Sequence, residues 1–392
     1  MPALNPFKNE YLEIRAREKA NQISYRRRDG LADPPHTVCL SVNNNCFMRC
    51  RMCDIGVSNR ERGGGEASLF SSRYKEGDAY QEAPLEDLKR IVDQVARFGP
   101  VIKPNFVEPL LYKPLPHLAD YVKSKGLKFY TITNGWLLRK QADWLTELPA
   151  DLIRVSLDGP EAVHDGLRGM KGSYRRVMDG LEAVLARKKG GPQSRPLLGL
   201  CYTISDHNYK FLKEFMDGLH KNGLLPWVYV NFNHLFYTTE WEVAASRRQH
   251  EMFKELKTCS VCQASPQKVD TAALAEQIRL LGESYDPEQH HYYFSPRLTP
   301  DDLAPYYDPD AVMHPGAPCH LPWCAAQVSI TGELGVFGHC ILPSFGNVFA
   351  QGFEEAWNSQ TTRAIRRGLQ EMGSFAGCNK CIGSLGPLRG RS

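Results

Sequence analysis

No apolar run in this 392-residue chain reaches the roughly 18 residues that a membrane-crossing helix needs. The stretch from Met1 to Lys8 also lacks the apolar segment of a secretory signal. These absences set the expectation of a cytoplasmic protein with no membrane partner. Net charge is low as well: 48 Lys and Arg stand against 44 Asp and Glu, leaving +4 spread along the chain rather than striped. The densest basic run, Arg26 to Arg28, closes an N-terminal helical segment and reads as a solvated helix end, so no nucleic-acid partner is expected. A reducing compartment also disfavours disulfides. The 12 cysteines are then thiols, and where they cluster they point to metal. A hydrophobic content of 42% supports an ordinary buried core, with length for one large domain and a smaller one.

Cys46, Cys50 and Cys53 stand close together in a C-x3-C-x2-C pattern. Thiolates are soft ligands that select zinc, copper(I) or iron-sulfur clusters. Structural zinc wants four closed ligands, usually from paired C-x2-C knuckles. Three cysteines on a cubane instead leave one iron without a protein ligand, and an open iron can bind a cofactor.

In chain order, residues 5–28 read as an exposed charged helix with apolar positions at Tyr11, Ile14, Ile23 and Tyr25. A strand from about Thr37 to Val42 delivers the cysteine loop. Residues 57–82, rich in Gly, Ser, Arg and Glu, read as a mobile loop that closes over substrate. From Leu85 helices and strands alternate. Helices are expected near 85–97, 114–125, 136–147, 173–188 and 207–222. Strands are expected at Val101–Val107, Lys128–Thr133, Leu152–Leu157, Leu198–Ile204 and Trp227–His234. This is the pattern of an α/β fold with parallel strands and right-handed crossovers, whose chemistry sits on the loops after the strands. Residues 240–318 are less regular: a charged helix near 240–257, a Cys259 and Cys262 pair whose role is left open, and a helix at about 271–283.

The three-cysteine loop directly after a first strand resembles the radical S-adenosylmethionine (radical SAM) superfamily. The resemblance implies a partial (β/α)6 TIM-like barrel and a [4Fe-4S] cluster on Cys46, Cys50 and Cys53. It also implies S-adenosylmethionine chelating the open iron, and a 5'-deoxyadenosyl radical that removes a hydrogen atom from substrate. In that family Gly-Gly-Glu-Pro engages the amine of S-adenosylmethionine; Glu108 and Pro109 match it, while Phe106 and Val107 stand where the glycines would be. Thr133 and Asn134 resemble the ribose-binding edge. Ser156, Asp158 and Arg168 resemble the groups that hold carboxylate and ribose, an arginine fork suiting a carboxylate. Ile204 resembles the residue packed on adenine. Asn231, Asn233 and His234, after the sixth strand, could address a polar substrate, and a lone histidine such as His234 is more often structural. A one-electron donor such as flavodoxin or ferredoxin is the implied partner.

Near the C-terminus, Cys319 and Cys324 precede a strand, a Gly turn and a second strand that ends near Cys340, and Cys378 and Cys381 form a later C-x2-C pair. This resembles the auxiliary-cluster domain of the SPASM and twitch subfamilies, with the single second [4Fe-4S] cluster of the shorter form. The favoured ligands are Cys319, Cys340, Cys378 and Cys381, with Cys324 as the alternative ligand; a four-thiolate zinc site is the other reading. If Cys324 is free and faces the barrel, it could donate a hydrogen atom to a substrate radical. The domains expected are an N-terminal helical extension (1–35), the radical SAM partial barrel (36–238), a connecting region (239–318) and the auxiliary-cluster domain (319–392). The implied activity is dehydrogenation, epimerisation or deoxygenation of a small polyhydroxylated substrate (a sugar, aminoglycoside or aminocyclitol) in natural-product or glycan biosynthesis. Peptide modification is the alternative; a non-catalytic iron-sulfur or zinc protein is the remote one.

Overall fold

The computed structural model describes residues 23–53, 55–56, 80–148, 150–254, 266–313, 319–336, 340 and 342–381, together with Ala16, Lys19 and Asn21. Strand β1 (Thr37–Leu40) is followed by alternating helices and strands. These are α1 (Leu85–Ala96), β2 (Val101–Pro104), α2 (Leu115–Ser124), β3 (Lys128–Thr133), α3 (Leu138–Glu147) and β4 (Leu152–Ser156). Then come α4 (Glu161–Arg168), α5 (Ser173–Arg187), β5 (Leu197–Ile204), α6 (Leu212–Lys221) and β6 (Val228–His234). The sheet runs on through β7 (Tyr292–Ser295), which pairs parallel to β6 inside the stretch expected to be irregular. On the other side of β1 lie β8 (Ala325–Val328), β9 (Glu333–Val336) and β10 (Gly346–Asn347). Strands β1 to β8 all run the same way; β9 runs against them, and β10, antiparallel to β9, returns to their direction. The result is a partial TIM-like barrel, in which the C-terminal hairpin continues the barrel sheet beyond β1.

The helices form because their apolar residues recur at helical spacing. In α1 the buried positions are Leu88, Ile91, Val92 and Val95, with Glu86 and Asp87 at the positive N-terminal end. These side chains and the outward residues of the strands, such as Val38, Leu40, Val155, Leu200, Tyr202 and Val230, build one continuous core between sheet and helices. The opposite, concave face carries a small apolar layer of its own: Val101, Tyr130, Leu152, Leu197 and Tyr229. Because side chains alternate along a strand, this layer identifies the next inward residues as Lys103, Ile132, Arg154, Gly199 and Asn231.

Several helices were not expected, among them Pro300–Tyr307 inside the stretch read as irregular, and two more. Helix α4 is short and contains Gly166, which hides its period. The helix Gln360–Met372 shows few apolar residues, since its packed face includes the fully buried Arg366 and Thr362. Arg366 donates to the carbonyls of Pro322 and Gly30, and lies 4.3 Å from the Trp357 ring centroid. Asn358 exchanges both amide bonds with Ala32, so the segment before β1 is bound to the C-terminal region.

Candidate functional site

The loop carrying Cys46, Cys50 and Cys53 leaves the C-terminal end of β1 and docks on the end of α4. The last carbonyls of a helix have no intrahelical partner; here Arg168 O accepts from Arg49 N at 3.2 Å and Leu167 O from Arg51 N at 2.8 Å. Gly169 follows in the left-handed region, at φ 65°, and a β-carbon there would lie 2.4 Å from Arg49 O. Only glycine allows that approach. Asn43 Nδ2 donates to Glu108 O at 3.0 Å, tying the loop's base to the end of β2.

Beside the loop, Phe106 adopts φ 91°. The backbone conformation proper to glycine is thus kept at a position where the chain has a bulky side chain, at a cost on the order of 1–3 kcal/mol. Phe106 and Val107 pack with Cys46, Cys53 and Ile55 in a small apolar group around the loop.

Asn134 and Arg168 reach the sulfurs. Asn134 Nδ2 lies 3.7 Å from Cys46 Sγ, and Arg168 Nη1 lies 3.7 Å from Cys50 Sγ. Burial raises both thiol pKa values, and Cys46 is raised further by Glu108 and by Cys50 and Cys53 close by. Among the described residues, no three His, Cys, Asp or Glu side chains form a group that could hold a single metal ion.

Behind these donors stand two buried networks. Glu108, 1% exposed, accepts from Thr133 Oγ1 at 2.7 Å, Asn134 N at 2.7 Å and Leu110 N at 3.1 Å. Burial pushes its carboxyl up to about 7, against these hydrogen bonds, which favour the carboxylate. In the second network Asp158 Oδ2 accepts from Arg168 Nε at 2.6 Å and Nη2 at 2.6 Å, while Oδ1 accepts from Thr203 N at 2.8 Å. His164 Nδ1 accepts from Asp158 N at 3.1 Å, and burial pushes this ring down to about 4, so it is neutral. Asn208, buried and absent from the expected site residues, donates to the carbonyls of Asp158 and Thr203 and accepts from Ser205 N. Its signal in the sequence is an Asx turn directly after a strand.

The structure therefore brings Glu108, Thr133, Asn134, Asp158 and Arg168 to the cysteine loop, and Ser156 lies on the concave face two residues before Asp158. Ile204 is a correction. It shares the outward face of β5 with Leu198, Leu200 and Tyr202 in the helix-packed core, so Cys201 and Thr203 are the β5 residues on the concave side. His234 is buried, 2.8 Å from the Tyr307 hydroxyl, and burial pushes it down to about 3. That is a structural histidine.

In the C-terminal region Cys319 lies within electrostatic reach of Cys324, Cys340, Cys378 and Cys381, and Cys378 also of Cys340 and Cys381. Asn379, between the last two, donates to Glu242 Oε1 at 2.8 Å and Ala311 O at 2.8 Å, fixing the pair on helix α7 (Glu240–Gln249). Cys324 corrects a second expectation. It immediately precedes β8, whose first residue pairs with the first residue of β1. It is 3% exposed, inside the main apolar core. Strand direction puts it at the opposite end of β1 from the Cys46 loop, away from any substrate radical at the barrel mouth. Cys259 and Cys262, and all but the last residues of the 57–82 loop, lie outside the described residues.

Residues 40–215 match the family model of the Radical SAM superfamily. Over 158 residues the chain is 33% identical to Fe-coproporphyrin III synthase of Methanosarcina barkeri, covering 40% of this chain and 37% of that protein. The chain thus spans about two fifths of the length of such relatives. Among solved structures, Streptococcus suis SuiB superposes with a TM-score of 0.59 at 13% identity, covering 89% of this chain and 71% of that one. The anSMEcpe protein with bound AdoMet gives 0.55 at 13% identity, over 84% and 82%. At such identities the likeness establishes the fold. No described helix is long and apolar enough to cross a membrane.

Proposed function

Because this chain carries a radical SAM domain over residues 40–215, we infer that the protein is a radical SAM enzyme. It would act on a small polar substrate held against the concave face of its barrel. The observation that carries this reading is the loop itself: three thiols at the C-terminal end of β1, with Asn134 and Arg168 each 3.7 Å from one of the sulfurs. A soft three-thiol donor set with N–H groups aimed at sulfur fits an iron-sulfur cluster. When bound with S-adenosylmethionine, a [4Fe-4S] cluster of this kind supplies a 5'-deoxyadenosyl radical for hydrogen-atom abstraction.

The chain's own residues then have distinct tasks. Cys46, Cys50 and Cys53 would hold the cluster. Glu108 fixes Thr133 and Asn134 at the end of β3, and these three would line the S-adenosylmethionine site. Asp158 holds Arg168, so that the guanidinium is pinned beside Cys50; it and Ser156 would line the cofactor site on that side. Cys319, Cys340, Cys378 and Cys381 would hold a second [4Fe-4S] cluster. The inward amides and hydroxyls of Asn105, Asn231, Asn233 and Thr203 suit a polyhydroxylated substrate of the sugar or cyclitol kind. A flavodoxin- or ferredoxin-like protein is the proposed electron source, and the cytoplasm the proposed compartment.

Anaerobic reconstitution with iron, sulfide, S-adenosylmethionine and dithionite tests the reading. The expected result is 5'-deoxyadenosine above background and about eight irons per chain; no 5'-deoxyadenosine above background would overturn it.

A further inference from the structure

Positive charge that looks scattered in the sequence is gathered by the fold around the exposed border of the cysteine loop. Arg51 stands between Cys50 and Cys53, and its N–H is bonded to Leu167 O at the end of α4. Beyond that helix end, residues 167–177 carry Arg168, Lys171, Arg175 and Arg176 and no acid. Lys171 comes two residues after Gly169, the glycine that lies against Arg49 O. Arg176, in the first turns of α5, holds its guanidinium 5.2 Å from the Trp136 ring centroid. Trp136 in turn meets the ring of Phe47, next to Cys46, edge to face at 5.6 Å. Arg51, Lys171 and Arg176 are exposed, and Phe47 and Trp136 are partly so.

The acids close by are engaged elsewhere. Asp165 is turned onto its own loop, accepting from Gly172 N at 2.5 Å, Ser173 Oγ at 2.8 Å and Tyr174 N at 2.8 Å. Glu161 pairs with Arg175 at 2.7 Å, and Asp179 faces Arg139 at 3.8 Å. Among the described residues no ion pair includes Arg51, Lys171 or Arg176. A partly exposed aromatic pair within a cationic rim has the make-up of a protein-binding patch, whose aromatic and Arg side chains anchor while rim charges set the encounter rate. Cys46 and Cys53 are themselves partly exposed, so an electron arriving from outside has a short way to the thiols.

We propose that Arg51, Lys171 and Arg176, set around Phe47 and Trp136, form the docking face for an acidic one-electron carrier of the flavodoxin type. The inference rests on the functional reading above and deepens it by assigning the electron donor a place on the surface. One electron passes from the flavodoxin hydroquinone to the oxidised cluster; no bond is made or broken, and the carrier leaves as its semiquinone. Electron-transfer encounters bury little surface and are short-lived, so opposite charge governs their rate, and salt screens it.

Two readouts on the reconstituted protein test this. Biolayer interferometry against an oxidised, strongly acidic flavodoxin measures docking, and 5'-deoxyadenosine formation driven by reduced flavodoxin or, separately, by dithionite measures electron delivery. Lys171→Glu and Arg176→Glu should each weaken flavodoxin binding and lower the flavodoxin-driven rate about fivefold or more, while the dithionite-driven rate changes less than about twofold. Arg51→Glu, which sits among the cluster thiols, is read by binding alone and should weaken it by a similar factor. Wild-type binding should fall about tenfold as salt rises from about 0.05 to 0.3 M, and less steeply in the variants. Lys221→Glu, at the C-terminal end of α6 and so at the other end of the barrel, is the control and should behave as wild type. Absence of flavodoxin binding, or binding and turnover indifferent to the reversals, would overturn the proposal. So would an equal loss in Lys221→Glu, which would reduce the effect to net charge. An equal loss with dithionite would also overturn it, because the cations would then serve the cluster or S-adenosylmethionine. A wild-type protein that binds flavodoxin through these residues but yields no 5'-deoxyadenosine with dithionite would instead remove the radical reading and leave the docking face standing.

Discussion

Arg168 and Cys50 are 118 residues apart in sequence, yet the guanidinium Nη1 sits 3.7 Å from the sulfur while Nε and Nη2 are held by Asp158 Oδ2. One side chain thus couples the end of β4 to the cysteine loop. Groups that orient metal ligands from behind typically change metal affinity or activity by about 10–100-fold when removed. Arg168→Gln is therefore expected to lower S-adenosylmethionine cleavage by at least tenfold with weaker iron retention. Arg168→Lys should recover little, since one ammonium cannot serve Asp158 and the sulfur at once. Single-turnover assays with iron counting on the same samples check this, and full activity in Arg168→Gln would reject the coupling.

Asn134 makes a different contribution. An N–H directed at a cluster-bound sulfur stabilises the reduced state, because that state carries more negative charge on sulfur. Replacing Asn134 with Ala should shift the cluster's midpoint potential to more negative values. A redox titration followed by electron paramagnetic resonance (EPR) reads the shift; an unchanged potential would show that the amide does not act on the cluster.

The packing of Tyr229 over Gly199 gives a stability prediction. In Gly199→Ala the new methyl would meet the ring at 2.4 Å, with the strand backbone on the other side. Overpacking of this kind costs about 1–3 kcal/mol. Tyr229→Phe should not rescue the variant, because the ring carbons themselves are in the way, whereas Tyr229→Leu should rescue it in part. Urea unfolding of the single and double variants measures the difference.

Stability should also depend on pH through His234. Its ring is buried and neutral, pushed down to about 3 from the ordinary 6.5. The unfolded chain takes up a proton below about 6.5 and the folded chain does not, so stability is complete above that pH and falls as pH drops toward 3. His164, pushed down to about 4, acts in the same direction. Between pH 7.5 and 5.5 the wild type should lose about 1 kcal/mol more than His234→Phe, as measured by urea midpoints. Equal losses would remove His234 from the acid response.

The barrel and its active end were legible in the sequence because apolar strands alternate with amphipathic helices, and because the residues at the strand ends are polar in a fixed order. Asn134 and Arg168 reach the sulfurs of the cysteine loop, Glu108 bonds its backbone, and Thr133 and Asp158 stand behind them, bonded to Glu108 and Arg168. What the sequence hid were faces. Ile204 is placed at the barrel mouth by its resemblance to the residue packed on adenine, and Cys324 on the condition that it faces the barrel. The alternation of side chains along β5 turns Ile204 outward, and the pairing of β8 with β1 sets Cys324 at the far end of the sheet. Lys103 and Arg154 stood in plain view inside otherwise apolar strands, but a single charged residue in a strand does not say which side is the interior until its neighbours are aligned. Phe106 at φ 91° shows the converse: a motif's glycine can be lost while its backbone conformation persists.

The most direct test of the central claim is EPR of the reduced, reconstituted protein before and after addition of S-adenosylmethionine. It is run on the wild type and on a variant with Cys46, Cys50 and Cys53 all changed to Ala. The account predicts a wild-type [4Fe-4S] signal whose shape changes on addition, and loss of that responsive signal in the variant. A wild-type spectrum indifferent to S-adenosylmethionine, or a responsive cluster that survives in the triple variant, would contradict it.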